Sequence, residues 1–176
     1  DPDAQFNMGQ AYRLGRGVET DVEQVEALYA KAAAQGHVKA ADNYGLLLFQ
    51  RGAREEALPY ISAASMRGDP RAQYLLGIAH FNGDLVKKDW RRAYALLTLA
   101  NSSGLPQARG ALAQMDQYIS IEDRQAAQPL AASLKAEAEA ARSRQLAAAD
   151  LGLATDAPSG PVVTASAPQT AATRPV

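Results

Sequence analysis

Few residues in this 176-residue chain suit chemistry. His37 and His80 carry the only side chains whose ordinary titration falls near neutrality. Such a residue shuttles protons or binds zinc, but neither stands in a recognised ligand pattern. Each is expected to be a packed or surface histidine. Glu55 and Glu56 are adjacent carboxylates. Neighbouring helical residues do not face each other, so they cannot work as an acid–base pair. At a helix start they favour the positive end of its dipole instead. Gly15-Arg16-Gly17 lacks the preceding strand and the third glycine of a nucleotide-binding loop, and it reads as a turn. His-Glu-x-x-His, Gly-x-Ser-x-Gly and Walker-type patterns are absent from the sequence. The chain has no cysteine, which excludes disulfides and thiolate metal sites. It reads as a non-enzyme with no cofactor and no metal.

The elements that would position these residues are repeats. Asp1-Pro2-Asp3-Ala4-Gln5 returns as Asp69-Pro70-Arg71-Ala72-Gln73. Weaker copies begin near Lys39-Ala40 and Pro106-Gln107-Ala108. The shared alanines fall at 4, 40, 72 and 108, spaced by 36, 32 and 36 residues. A period of this size marks a stacked-repeat protein. Each unit reads as two antiparallel helices. Asp1 caps the first, and Pro2 suits its opening position. Asp21 or Thr20 caps the second, and Gly36 ends it. The middle unit lacks the glycine loop, which explains the shorter spacing. Gly9, Gly45 and Gly77 recur mid-helix. Glycine costs about 1 kcal/mol there relative to alanine, so close approach between paired helices is expected. Trp90, one residue after the Asp89 cap, reads as an anchor for its helix.

The string Met8-Gly9-x-x-Tyr12-x-x-Gly15-x-Gly17-Val18-x-x-Asp21, with Val25, Tyr29, Ala32-Ala33, Gly36 and Ala40, resembles the Sel1-like repeat. Leu76-Gly77 through Asp89, Ala93, Ala100, Gly104 and Ala108 are similar. There the second loop glycine is lost, at Asp84-Leu85. The resemblance implies an all-α fold, an α-solenoid of antiparallel helix pairs related to the tetratricopeptide repeat. The expected units are 1–36, 37–68 and 69–104, with 105–118 as the first helix of a fourth.

Residues 119–149 are expected to cap the stack, as a helix or helices broken near Pro129, since proline cannot donate to the preceding turn. Leu130, Leu134 and Ala138 would form its thin apolar stripe. Residues 150–176, rich in Ala, Thr, Ser and Pro, read as a disordered linker or tail.

In solenoids of this kind the first helices line a concave groove. By analogy with tetratricopeptide groove positions, its residues are Phe6, Gln10 and Arg13, then Asp42, Leu46 and Phe49, then Tyr74, Ile78 and Phe81, with Gln114 and Gln117 at the end. Such a surface suits an apolar peptide or a partner helix. The competing reading is that these residues fill the space between repeats.

Net charge is -1, from 18 basic and 19 acidic residues, which argues against nucleic acid. No apolar run approaches the ~20 residues a membrane helix needs. The resemblance extends to bacterial envelope proteins in which such repeats and an Ala/Pro/Thr linker precede a sporulation-related repeat domain that binds peptidoglycan. It implies a periplasmic or cell-envelope adaptor for a protein or peptide partner, with peptidoglycan reached through a region outside this chain. A cytoplasmic location is the alternative. A structural module that self-assembles through open repeat ends is the second functional reading. The Asp1-Pro2 start and the linker-like end suggest a piece of a longer protein.

Overall fold

The computed structural model describes residues 1–14 and 21–152. The Gly15-Arg16-Gly17 turn, and the linker from residue 153 onward, lie outside the described residues. Within them the chain is helical, with no strand. In chain order the helices are α1 (Pro2–Arg13), α2 (Val22–Ala34), α3 (Val38–Gln50), α4 (Arg54–Met66), α5 (Pro70–Asn82), α6 (Trp90–Ser102), α7 (Pro106–Met115) and α8 (Ile121–Asp150).

Local chemistry sets their starts. The carboxylates of Asp1, Asp21, Asp69 and Asp89 accept backbone N–H bonds at the N-termini of α1, α2, α5 and α6. Ser120 does the same for α8. Each cap satisfies a donor that the helix itself cannot pair. Pro2, Pro70 and Pro106 open α1, α5 and α7, where a missing N–H costs nothing. Gly36, Gly68 and Gly104 follow α2, α4 and α6 with positive φ.

Successive helices pair as α1–α2, α3–α4 and α5–α6, and each pair packs on the next through α2–α3, α4–α5 and α6–α7. The mid-helix glycines set the spacing within pairs. A β-carbon on Gly45 would lie 2.5 Å from Cβ of Tyr60 on α4. Gly9 and Gly77 meet Tyr29 and Leu97 in the same way. The core divides into a first cluster around Val25, Tyr29, Leu48, Ile61 and Leu76 and a second around Leu97, Ala108 and Met115.

Two departures from sequence expectation have physical causes. First, α8 does not break near Pro129; it runs as one 30-residue helix. Pro129 and Gln125 are both exposed, so the proline lies on the solvent side of α8, where water can replace the bond that residue 129 does not donate. Pro59 sits inside α4 in the same exposed manner. Second, α8 packs along α6 and reaches α4, rather than pairing with α7 as α6 pairs with α5. Its buried stripe is Ala127, Ala131 and Ala138, with Leu130 and Leu134 half-buried beside it. No helix among the described residues is long and apolar enough to cross a membrane.

Candidate partner-binding surface

The expected groove residues lie on α1, α3 and α5 and gather into two groups. Phe6, Leu46 and Phe49 are half-buried against the first core cluster. Tyr74, Ile78 and Phe81 are half-buried against the second. Each therefore spends part of its surface between repeats and keeps part in solvent. Among the polar positions, Arg13 is exposed and donates to half-buried Gln10 at 3.2 Å. Gln114 and Gln117 are exposed at and beyond the end of α7.

Phe6 is held by aromatic partners. Its ring stacks on His37 with centroids 4.5 Å apart and on Tyr29 at 5.7 Å. His37 is the cap of α3: its Nδ1 accepts from the Ala40 N–H at 3.0 Å. That bond requires an unprotonated Nδ1, so the proton sits on Nε2, 3.2 Å from the Asp3 carboxylate. One imidazole thereby joins α1 to α3 and fixes Phe6. His80 uses the opposite tautomer, its Nδ1 donating to the Lys87 carbonyl at 2.9 Å. Both histidines hold backbone in place. Among the described residues no group of three His, Cys, Asp or Glu is placed to hold a metal.

Phe81 anchors the other group. It stacks on Trp90 at 5.9 Å and meets Tyr118 edge-on at 6.1 Å. The Trp90 indole N–H donates to the Phe81 carbonyl at 3.2 Å, which ties the start of α6 to the end of α5. The Lys88 ammonium lies 5.4 Å from the Trp90 ring, and Tyr118 is 65% exposed. The solvent-facing part of this group is thus aromatic with one cation.

A cluster of charged contacts joins α3, α5 and the turn between α4 and α5. Asp42 forms an ion pair with Arg67, and both side chains are largely buried. Burial raises the Asp42 carboxyl above the ordinary carboxylate range, and the Arg67 guanidinium pulls it back. Arg71 donates to both oxygens of Asp69. Its other donor reaches Asn43 at 3.5 Å. Arg54 lies 5.1 Å from the Phe49 ring centroid. Of the eleven predicted residues, six form two apolar groups, and Asp42 belongs to a cluster of charged contacts. Arg67, Arg71 and Asn43, which sequence reasoning left out, complete that cluster. Their signal is faint: Arg67 stands 25 residues from Asp42 and outside its helix.

Residues 2–37 and 70–105 match the Sel1 repeat. The middle unit, which lacks the glycine loop, falls between the two matches. The chain is similar to the crystal structure of a Sel1 repeat protein from Oxalobacter formigenes. That match covers 76% of this chain and 41% of the other, at 29% identity and a TM-score of 0.54. It is also similar to a protective antigen present in uropathogenic Escherichia coli strains and displaying an SLR fold. There it covers 77% of this chain and 38% of the other, at 22% identity and a TM-score of 0.45. The chain thus spans about two fifths of each solved structure.

Proposed function

From the Sel1 repeats this chain carries, we propose that it is a non-enzymatic scaffold holding a protein or peptide partner on its first-helix surface. The observation that carries this reading is the half-burial of Phe6, Leu46, Phe49, Tyr74, Ile78 and Phe81. Repeat packing fixes each ring or branch, so little side-chain entropy remains to be lost on binding. Two apolar groups on the first helices suit an extended or helical segment with spaced apolar anchors. In the cell, the scaffold works in the bacterial envelope and reaches peptidoglycan through a domain outside this chain. That part rests on the family resemblance and on the Ala/Pro/Thr composition of residues 150–176.

Affinity capture tests the scaffold. The full chain serves as one bait, and a variant with Phe6, Leu46, Tyr74 and Ile78 changed to serine, checked for helicity, as the other. A partner held by the unmodified bait alone is the expected result. Equal capture by both folded baits overturns the placement of the site.

A second reading, assembly through open repeat ends, has one specific support. Ala113 on α7 is exposed, whereas its counterparts Gly9, Gly45 and Gly77 are buried against second helices. Mass that rises with concentration in sedimentation favours this reading.

A further inference from the structure

A cavity of about 450 Å³ lies where α8 crosses from α6 to α4. Its walls include Ser62 and Ser65 of α4, Gln73 and His80 of α5, and Arg92 of α6, with Leu134 and Glu137 of α8 on the remaining side. The preceding junction in the stack, 32 residues earlier, shows how unusual this lining is. There α2 and α3 place Ala33, Ala41 and Leu48, all buried, at the positions of Ser65, Gln73 and His80. One junction is apolar, and the next is polar at three matching sites around a cavity.

Gln73 is 4% exposed, and its Oε1 has no hydrogen-bond partner among the described residues. A buried amide left unpaired destabilises the fold, and a leucine of similar volume would not carry that cost. Arg92 is half-buried in the same wall and makes no ion pair among the described residues. His80 commits its Nδ1–H to the Lys87 carbonyl, which leaves Nε2 as an acceptor. Leu76, Leu96, Leu99 and Leu134 supply apolar wall between these groups. Ligand pockets have this make-up: mostly apolar lining, a few convergent polar groups, and a volume of roughly 300–1,000 Å³.

We propose that this cavity binds a small carboxylate-bearing molecule with an apolar side chain, of free amino acid to dipeptide size. Arg92 takes the carboxylate. Gln73, Ser62 and Ser65 pair with the amide or amine hydrogens, Glu137 faces the ammonium, and the leucines hold the side chain. The site lies away from the first-helix surface and does not depend on the scaffold reading. Because α8 closes it, a bound ligand would also hold α8 against α4.

The test uses the full chain with L-leucine, L-phenylalanine and leucyl-alanine as probes and leucinamide as the control that lacks the carboxylate. Calorimetry and thermal melting are read together. The expected result is one site per chain for at least one carboxylate probe, a rise in melting temperature with that probe, and at least tenfold weaker binding of leucinamide. Arg92→Gln, a half-exposed change, weakens binding at least tenfold. Gln73→Leu abolishes binding without lowering the melting temperature of the unliganded chain. Three results overturn the proposal: no binding of any carboxylate probe at millimolar concentration, binding that both variants leave unchanged, or a Gln73→Leu chain that melts several degrees lower. The last would show an amide already satisfied by bound water.

Discussion

Two residue-scale features carry measurable strain or cost. Asp42 and Arg67 bury a charge pair whose side chains are 16% and 15% exposed. Removing one partner leaves the other charge buried, so Asp42→Leu alone is expected to cost about 3 kcal/mol. The joint change of Asp42 and Arg67 to leucine is expected within about 1 kcal/mol of the parent, or above it. The pH dependence has a definite sign. The folded Asp42 carboxyl sits above its unfolded value, so the native state holds that proton to higher pH. This residue's contribution is then greatest at low pH and falls as pH rises through the raised value. The double variant's advantage should therefore grow in urea melts as pH rises from the ordinary carboxylate range. Leu85 is the other case. It stands where the first unit has Gly17, and its φ is 67°. A left-handed conformation costs an L-residue about 1–2 kcal/mol. Leu85→Gly should therefore be more stable than Leu85→Ala by about 1 kcal/mol, since both lose the side chain and only glycine relieves the backbone. The Asp caps were legible because a cap acts within three residues. The Asp42–Arg67 pair and the His37 cap were not. One spans 25 residues, and the other uses a side chain seldom found at that position.

At the scale of elements, periodicity and Gly/Pro punctuation pointed to paired helices, though the first helix expected over 105–118 ends at Met115 as α7. A glycine or proline acts on its own turn, so its effect does not depend on the rest of the fold. Pro129 marks the limit of that reasoning. The rule assumes that the lost bond and the ring clash end a helix, but α8 is pinned on both sides of the proline. Arg91 bonds Asp123 at 2.7 Å ahead of it, and Ala131 and Ala138 are buried beyond it. The helix persists and bears the cost. Pro129→Ala is accordingly expected to stabilise the chain by about 1–3 kcal/mol, with the fold unchanged. Thermal melting followed by circular dichroism measures it. A lower melting temperature would mean that the proline fits α8 better than alanine does.

For the whole molecule, the repeat spacing gave the solenoid but not the path of α8. Its alanine stripe marks a buried face without naming the neighbour, and regular continuation would have set it beside α7. Instead it crosses α6 to α4 and closes the cavity lined by Gln73. The partner of Asp42 was also illegible. Analogy with tetratricopeptide groove positions picked Phe6, Leu46, Phe49, Tyr74, Ile78 and Phe81, which lie on α1, α3 and α5. The ion partner of Asp42 is Arg67, which the turn after α4 brings in. Whether the first-helix surface holds a partner is decided by Tyr74→Ala, with capture and melting measured on the same preparation. A partner held by the parent chain should be lost from a Tyr74→Ala chain that remains folded at the assay temperature. A folded Tyr74→Ala chain that captures the partner as well as the parent does would contradict it.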